Sequence, residues 1–326
     1  MNRRDFIALL GSTAAAMWSL GARAQQTGIP LVGLLDTSSA DAGAHLTAFS
    51  LGLKESGFAP KQNVAVEYRS AEEQYERLPE LAADLINRKV TVLACAGIPA
   101  TLAAKKATAS IPIVFSIGSD PTQIGLVESL NRPGGNITGI TSMAVELEPK
   151  RVELLHELMP SANVFGLLVN PSNPNAQVQT KEVQAAAQKL GIQVHIVHVS
   201  AERDFDAMFS ELAHSEARAL AICNDGLFIS RREQLAALAL RHGVPAIFQH
   251  REFAVSGGLM SYGGSLAEGY RQLGIYASLI LKGAKPSELP VQQSAKIELI
   301  INLNTAKALG LTLPITLLGR ADEVIE

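Results

Sequence analysis

The chain has 326 residues, a formal net charge of −3 and 47% hydrophobic residues, which suits two globular lobes of about 150 residues each. It contains no Lys/Arg run and no interleaving of aromatic with basic residues, which argues against a nucleic-acid partner. Beyond the first residues, no apolar run reaches the roughly 20 residues needed to cross a bilayer. We therefore expect a protein that is not embedded in a membrane.

The first 24 residues have the pattern of an export signal. Arg3 and Arg4 precede an apolar stretch over residues 6–20, and the sequence ARA at 22–24 fits a cleavage site. The order Arg-Arg-Asp-Phe-Ile resembles a twin-arginine signal. We predict export to the periplasm with cleavage near Ala24; a buried N-terminal helix or an uncleaved anchor is the alternative.

From residue 31 onward, short apolar runs alternate with helical patterns. Strands are predicted at 31–35, 63–68, 90–96, 111–117, 137–140, 164–169, 193–199, 217–223, 244–248, 257–262 and 296–301. Helices are predicted at 41–56, 75–87, around 99–105, at 122–130, 148–159, in the stretch that ends at 190, and at 204–215, 231–242, 266–281 and 305–309. Unbroken short apolar runs are typical of strands buried on both faces of a parallel sheet. The alternation predicts an α/β fold.

The segment from Val90 to Pro121 organises the first lobe as a strand–helix–strand unit. A right-handed crossover makes its two strands parallel, so both end at one edge of the sheet and bring residues 97–101 beside residues 118–121. Ligands of open α/β sheets bind at this carboxyl edge. Residues 217–248 repeat the pattern, and the segment VPAIF corresponds to IPIVF of the first unit. This repeat predicts two similar lobes.

Motifs of common enzyme classes do not occur. The sequence lacks G-x-G-x-x-G before a helix, a Walker A loop, a G-x-S-x-G elbow and a second His beside His156-Glu157. We therefore expect no catalysis, no cofactor and no metal. Cys95 and Cys223, the two cysteines, are expected to be small buried hydrophobic residues rather than a disulfide or metal pair.

Several segments form a recognisable combination after the predicted signal. They are VGLLDTSS, AGIPAT, IPIVFSIGSDP, NRPGGNITGI, LLVNPSNPN, VPAIF, GLMSYGGS, INLNTAKALGLTLP and LLGRADEVIE. Together they resemble the ABC-transporter substrate-binding proteins of the tryptophan/tyrosine-binding type. The resemblance implies a type I periplasmic binding protein, with two Rossmann-like lobes of parallel strands joined by three crossings near Gly139, Gly263 and Pro290. The implied N-terminal lobe is 28–140 plus 263–289, and the C-terminal lobe is 141–262 plus 290–326.

The same resemblance implies a function. An exported binding protein captures a small ligand, an amino acid or a related aromatic or branched carboxylate, between its lobes and delivers it to the permease subunits of an ABC importer. A periplasmic sensor that presents the solute to a signalling receptor is one alternative. An exported enzyme on the same scaffold is another, although no nucleophile, base and orienting group assemble in the sequence.

The resemblance places the ligand between the loops at the strand ends. The expected contacts are Thr37, Ser38, Gly97, Ile98, Pro99, Ala100, Thr101, Ser119 and Asp120 from the first lobe, and Asn170, Asn173, Asn224, Asp225, His250 and Tyr262 from the second. The helix start at Ala100 and Thr101 offers free amides and a positive dipole end to a carboxylate, or is an ordinary helix start. Asp225 is expected to meet an ammonium group across the cleft, or to cap the next helix.

Other positions also carry two readings. Asp120 precedes a proline and fits a helix cap as well as an ammonium partner. Asn170 and Asn173 either bind the ligand or shape their loop, and Tyr262 either stacks on a flat ligand or belongs to the hinge core. His250 stands where some relatives carry an acidic residue, so the resemblance does not establish the same ligand as theirs.

Overall fold

The computed structural model describes residues 28–38, 42–294 and 296–326. The predicted export signal at 1–24 lies outside these residues. Among the described residues, no helix is both long and apolar enough to cross a membrane.

The strands and helices follow one another in near-regular alternation. The strands are β1 (Leu31–Asp36), β2 (Ala65–Ser70), β3 (Val92–Ala96), β4 (Ile113–Ile117), β5 (Ile137–Thr141), β6 (Val164–Val169), β7 (Gln193–His198), β8 (Leu220–Ile222), β9 (Ala246–Phe248), β10 (Met260–Gly263), β11 (Gln292–Gln293), β12 (Glu298–Asn302) and β13 (Glu323–Ile325). The helices are α1 (Ala42–Glu55), α2 (Leu78–Asn87), α3 (Ile98–Ala107), α4 (Glu148–Leu158), α5 (Ala176–Lys189), α6 (Phe205–His214), α7 (Gly226–Ser230), α8 (Arg232–Arg241), α9 (Arg251–Val255), α10 (Leu266–Leu281), α11 (Leu303–Ala308) and α12 (Ile315–Leu318).

The first sheet has the strand order β11-β5-β4-β3-β1-β2, and all its pairs are parallel. Every residue of β3 is buried, as expected for a strand covered on both faces. One face packs against α1 and α10 through residues such as Phe49 and Leu273, and the other against α2 and α3 through Leu85 and Ala104. The predicted strand–helix–strand unit is confirmed by the direct pairing of β3 with β4.

The second sheet has the order β13-β12-β10-β9-β8-β6-β7. Leu155 of α4 and Val183 of α5 cover one face, while Phe209 of α6 and Leu235 of α8 cover the other. The pairs of this sheet are parallel with one exception, because β12 runs antiparallel to β10. The chain leaves this sheet at the carboxyl end of β10 and re-enters at the same end, so β12 must run in the opposite direction.

The chain passes between the sheets after β5, after β10 and after β11. The third crossing lies later than the expected position near Pro290, because Gln292 and Gln293 pair with β5 of the first sheet. Hydrogen bonds also hold the preceding residues on that sheet: the amide of Val291 donates to the Leu130 carbonyl at 2.7 Å. The boundary at residue 290 is therefore corrected to the segment between Gln293 and Glu298.

The helix predicted at 122–130 is wrong, because this stretch forms turns. The Asp120 carboxylate accepts hydrogen bonds from the amide and the hydroxyl of Thr122, at 2.8 and 2.6 Å. Such local bonds compete with helix formation. Gly125 follows with a positive φ of 68°, which a right-handed helix does not accommodate.

A buried ion pair lies in the second lobe, beside the first two crossings. Arg151 and Glu148 of α4 are each 1% exposed as side chains, and their charged groups lie 2.8 Å apart. The Arg151 guanidinium also donates to the carbonyl of Ala144, in the first crossing, and to that of Tyr262 in β10, at 2.9 Å. A single side chain thus joins two of the three segments that connect the lobes.

Cys95 in β3 and Cys223, just after β8, are free and fully buried. Their prediction as small buried hydrophobic residues is confirmed. Burial raises the pKa of both thiols above the ordinary value, since the apolar surroundings disfavour the thiolate.

Helices α1 and α10 pack so closely that glycine is required on both. A Cβ on Gly52 would overlap the carbonyl oxygen of Arg271, and one on Gly274 would overlap that of Phe49. This contact packs α10 against the first lobe.

We expect Gly52→Ala to lower the free energy of unfolding by about 1–3 kcal/mol, the usual range for overpacking, because backbone atoms cannot move aside. Gly43→Ala is the matched control on the same helix, where an added Cβ meets nothing within 4 Å. That change should be neutral or stabilise the helix by up to about 1 kcal/mol. Urea unfolding measures both; equal stability of the two variants would contradict the close packing.

Candidate ligand-binding site

A cavity of about 120 Å³ lies between the carboxyl edges of the two sheets. It is lined by the ends of β1, β3 and β4 from the first sheet, and by loops after β6, β8 and β9 from the second. This space exceeds the roughly 10–15 Å³ that one water requires and can hold a small molecule.

The start of α3 forms one wall of the cavity through Gly97, Ile98 and Pro99. Gly97 has a φ of 91°, and a Cβ there would overlap the side chain of Thr37. The Thr101 amide donates to the Gly97 carbonyl at 3.1 Å. The amides of Ile98 and Ala100 precede this first helical bond and have no acceptor within the helix.

A buried carboxylate, Asp36, forms the end of β1 and is 1% exposed. Its Oδ2 accepts a hydrogen bond from the Tyr270 hydroxyl at 2.6 Å, and its Oδ1 accepts one from the Ser38 amide at 3.1 Å. The Tyr68 hydroxyl lies 3.4 Å from Oδ2 and donates to the nearer Ser38 carbonyl at 3.0 Å. Burial, followed by the nearby Asp36 charge, raises the pKa of Tyr270, so this hydroxyl keeps its proton and donates.

His45 of α1 lies beside this carboxylate and also lines the cavity. Its ring stacks on that of Tyr270 with the ring centres 4.0 Å apart. The His45 Nδ1 lies 3.6 Å from Asp36 Oδ2, too far for a hydrogen bond. Among the described residues, this Nδ1 has no hydrogen-bond partner.

The second lobe contributes another buried carboxylate, Asp225. Its Oδ1 accepts from Asn170 at 3.0 Å and from the Leu227 amide at 2.9 Å, and its Oδ2 accepts from Asn173 and from the Tyr75 hydroxyl, both at 2.8 Å. The bond from Leu227 caps α7, as one of the two sequence readings predicts. Burial raises the pKa of Asp225, and the donated hydrogen bonds oppose that rise.

Polar contacts join the two lobes directly across this space. The Tyr75 hydroxyl reaches Asp225, the Ser38 and Ser230 hydroxyls lie 2.6 Å apart, and Asn175 donates to the Ser119 hydroxyl at 2.6 Å. The structure is thus that of a closed cleft.

Comparisons with known proteins identify the family of the chain. The profile of a family described as ABC transporter substrate binding protein matches residues 32–325, almost the whole chain. The chain belongs to this family. A tyrosine-binding protein of Clostridioides difficile (strain R20291) is 27% identical over 263 residues, which cover 81% of this chain and 75% of that protein.

Solved structures of similar proteins have the same two-lobed fold. A conserved domain protein from Vibrio cholerae is 25% identical with a TM-score of 0.84, and the match covers 91% of this chain and 100% of that one. An ABC domain from Streptococcus pneumonia in complex with L-Trp is 24% identical with a TM-score of 0.82 and the same coverage, a likeness that concerns the fold. The prediction of a type I periplasmic binding fold is confirmed by further solved binding proteins.

Most of the predicted site residues meet at the cavity. Thr37, Ser38, Gly97, Ile98, Pro99, Asn173, Asn224, Asp225 and His250 line it. Ala100, Thr101, Ser119 and Asn170 are buried next to the lining, where Asn170 holds Asp225 and Ser119 holds Asn175. The expectation of a free Thr101 amide is wrong. Helix α3 begins at Ile98, and the Thr101 amide makes its first helical hydrogen bond.

The remaining two predicted residues, Asp120 and Tyr262, neither line the cavity nor support its lining. Asp120 holds its own loop through Thr122. The Tyr262 ring packs against the core of the second lobe, as the alternative of a hinge-core residue predicts.

The sequence did not indicate His45, Tyr75 or Tyr270 as site residues, although all three line the cavity. They come from a helix, a 3₁₀ turn and a late helix of the first lobe, and no motif marks them.

His250 lies on the second-lobe side, with its Nδ1 3.0 Å from the Gly264 carbonyl oxygen. Burial lowers the pKa of its imidazole, with Arg151 and His45 acting in the same direction and Glu252 opposing it. The unfolded chain should therefore bind a proton near the ordinary pKa of about 6.5, where the folded protein does not.

This difference predicts a loss of stability in acid. Above pH 6.5 His250 is neutral in both states; as the pH falls below about 6.5, the unfolded state takes up the proton first and the free energy of unfolding decreases. His250→Gln should reduce this pH dependence between pH 7.5 and 5 in urea titrations. Identical slopes for the variant and the wild type would show that His250 does not contribute.

Proposed function

We propose that the protein is an exported solute receptor that captures an amino acid, or a related aromatic or branched carboxylate, and delivers it to an ABC importer. The observation that carries this proposal is the cavity between two carboxyl edges, to which both lobes contribute polar groups. Export rests on the predicted signal at 1–24, and delivery to permease subunits rests on membership of the family.

The class of ligand is supported by relatives and by the first-lobe wall. The Clostridioides difficile relative is named for tyrosine, and the Streptococcus structure holds L-Trp. The Ile98 and Ala100 amides at the start of α3 are suited to a ligand carboxylate, because free N–H groups and the positive end of the helix dipole coincide there.

Closure explains how such a receptor responds to its ligand. Two lobes joined by thin crossings move as rigid bodies about these hinges. A ligand that touches both edges binds the closed form better and shifts the population toward it, by no more than its difference in affinity for the two forms. A membrane partner can then distinguish loaded from unloaded receptor by shape.

Ligand binding should raise the melting temperature, because a ligand that binds only the folded state adds about 2.7 kcal/mol at a concentration of 100 Kd. We expect a rise with millimolar L-tyrosine, L-tryptophan or L-leucine, or with the corresponding carboxylates that lack the amine. The only tryptophan is Trp18, before the predicted cleavage site, so bound L-tryptophan should show its own blue-shifted emission in processed protein. No thermal shift with any of these compounds would reject the proposed ligand class.

Tyr75→Phe should weaken every ligand by a similar factor. The lost bond joins the lobes through a charged acceptor, worth roughly 1.5–3 kcal/mol, so affinity should fall by up to about a hundredfold and ligand-induced compaction in small-angle scattering should need more ligand. Tyr276→Phe is the matched control, since its hydroxyl donates at 2.9 Å to Pro290 without bridging the cleft. Equal affinities of the two variants would contradict a role of Tyr75 in closure.

A further inference from the structure

Three acidic side chains are at most 3% exposed among the described residues: Asp36, Glu148 and Asp225. Glu148 is neutralised by Arg151 at 2.8 Å. No Lys or Arg of the described ranges forms an ion pair with Asp36 or Asp225, and both line the cavity. A buried carboxylate without a cation is costly, so a cationic group of a ligand would be stabilised beside either of them.

Hydrogen-bonding capacity distinguishes the two carboxylates. A carboxylate offers about four acceptor positions. At Asp225 all four are used, two on each oxygen, by Asn170, Asn173, Tyr75 and the Leu227 amide. An ammonium group could bind Asp225 only by displacing one of these donors. Asp225 is therefore suited to hold the lobes together rather than to receive a ligand.

Asp36 retains an acceptor position. Its Oδ2 accepts the Tyr270 hydroxyl and its Oδ1 accepts the Ser38 amide, so each oxygen keeps an acceptor position. The single proton of the Tyr68 hydroxyl, 3.4 Å from Oδ2, is directed to the nearer Ser38 carbonyl at 3.0 Å. The neighbouring His45 Nδ1, 3.6 Å from Oδ2, belongs to a side chain that is 6% exposed and has no hydrogen-bond partner in the described part of the chain. A neutral imidazole with its proton on Nε2 presents Nδ1 as an acceptor.

Two unsaturated acceptors at this spacing match an ammonium group. Its nitrogen carries three donors and can lie about 2.8 Å from each of two acceptors that are themselves 3.6 Å apart. The Tyr270 ring, stacked on His45 at 4.0 Å, holds the imidazole in place.

We propose that Asp36 and His45 bind the α-ammonium group of the ligand, and that Asp225 serves as the partner of Tyr75 in closure. This inference rests on the proposed function, since it specifies which members of the proposed ligand class bind best: α-amino acids over carboxylates of the same shape that lack the amine.

The test compares matched pairs of compounds by calorimetric titration: L-tyrosine with 3-(4-hydroxyphenyl)propanoate, and L-leucine with 4-methylpentanoate. Wild-type protein should prefer the amino acid of at least one pair by about tenfold to a hundredfold, the value of a charged hydrogen bond. Asp36→Asn should abolish most of this preference by weakening the amino acid alone. His45→Phe, which keeps a ring to stack on Tyr270, should reduce the preference severalfold.

Asp225→Asn is the control, because it should weaken both members of a pair equally and leave their ratio unchanged. Asp36→Asn with the wild-type ratio, or Asp225→Asn with a lost ratio, would overturn the assignment. If Asp36→Asn does not fold, His45→Phe tests the assignment instead: an unchanged preference for the amino acid in this variant would overturn it. If wild-type protein binds neither pair and does not bind L-tryptophan, the proposed function fails instead, so the two failures are distinguishable.

Discussion

The geometry of the cleft depends on the buried pair formed by Arg151 and Glu148. The guanidinium holds carbonyl groups of both the first crossing and β10, so it fixes the origin of two of the three connections between the lobes. Removing one partner of such a pair leaves an uncompensated buried charge, which typically costs 3–5 kcal/mol. Gln249, which donates to Glu148 at 3.2 Å and to the Ile222 carbonyl at 2.7 Å, ties the pair to the strands that carry the second half of the site.

Around this fixed hinge, the two halves of the cavity have different physical characters. The first lobe supplies aromatic hydroxyls, a stacked imidazole and free helix amides around Asp36. The second lobe supplies asparagine amides that donate to Asp225. One half thus retains unused hydrogen-bonding capacity, whereas the other reaches full saturation only when Tyr75 arrives from the opposite lobe.

Periodicity predicted the two α/β lobes because doubly buried strands leave short, unbroken apolar runs such as 92–96. The strand-end rule also located the loops at Gly97, Asn173 and Asp225, since every parallel strand delivers its carboxyl end to the same edge. The helix expected after Asp120 does not form, because hydrogen bonds of the Asp120 carboxylate to Thr122 compete with helix formation. The positive φ of Gly125 also interrupts a helix.

Residues of the site that lie on helices could not be predicted in the same way. His45 and Tyr270 come from α1 and α10, which are more than 200 positions apart and meet through the close contact at Gly52 and Gly274. The stacking of the His45 and Tyr270 rings is a second contact between these helices, so the position of both residues depends on tertiary packing. The orientation of β12 likewise depends on the path of the chain through the other lobe, which no local pattern records.

The two buried thiols have a consequence for chemistry in an oxidising compartment. Thiol–disulfide exchange proceeds through the thiolate, and burial keeps Cys95 and Cys223 protonated and out of reach. The folded protein should therefore neither form mixed disulfides nor cross-link to other chains. A cysteine introduced on each lobe would be the only reactive thiols, so paired fluorescent labels could follow the opening of the cleft without first removing the native cysteines.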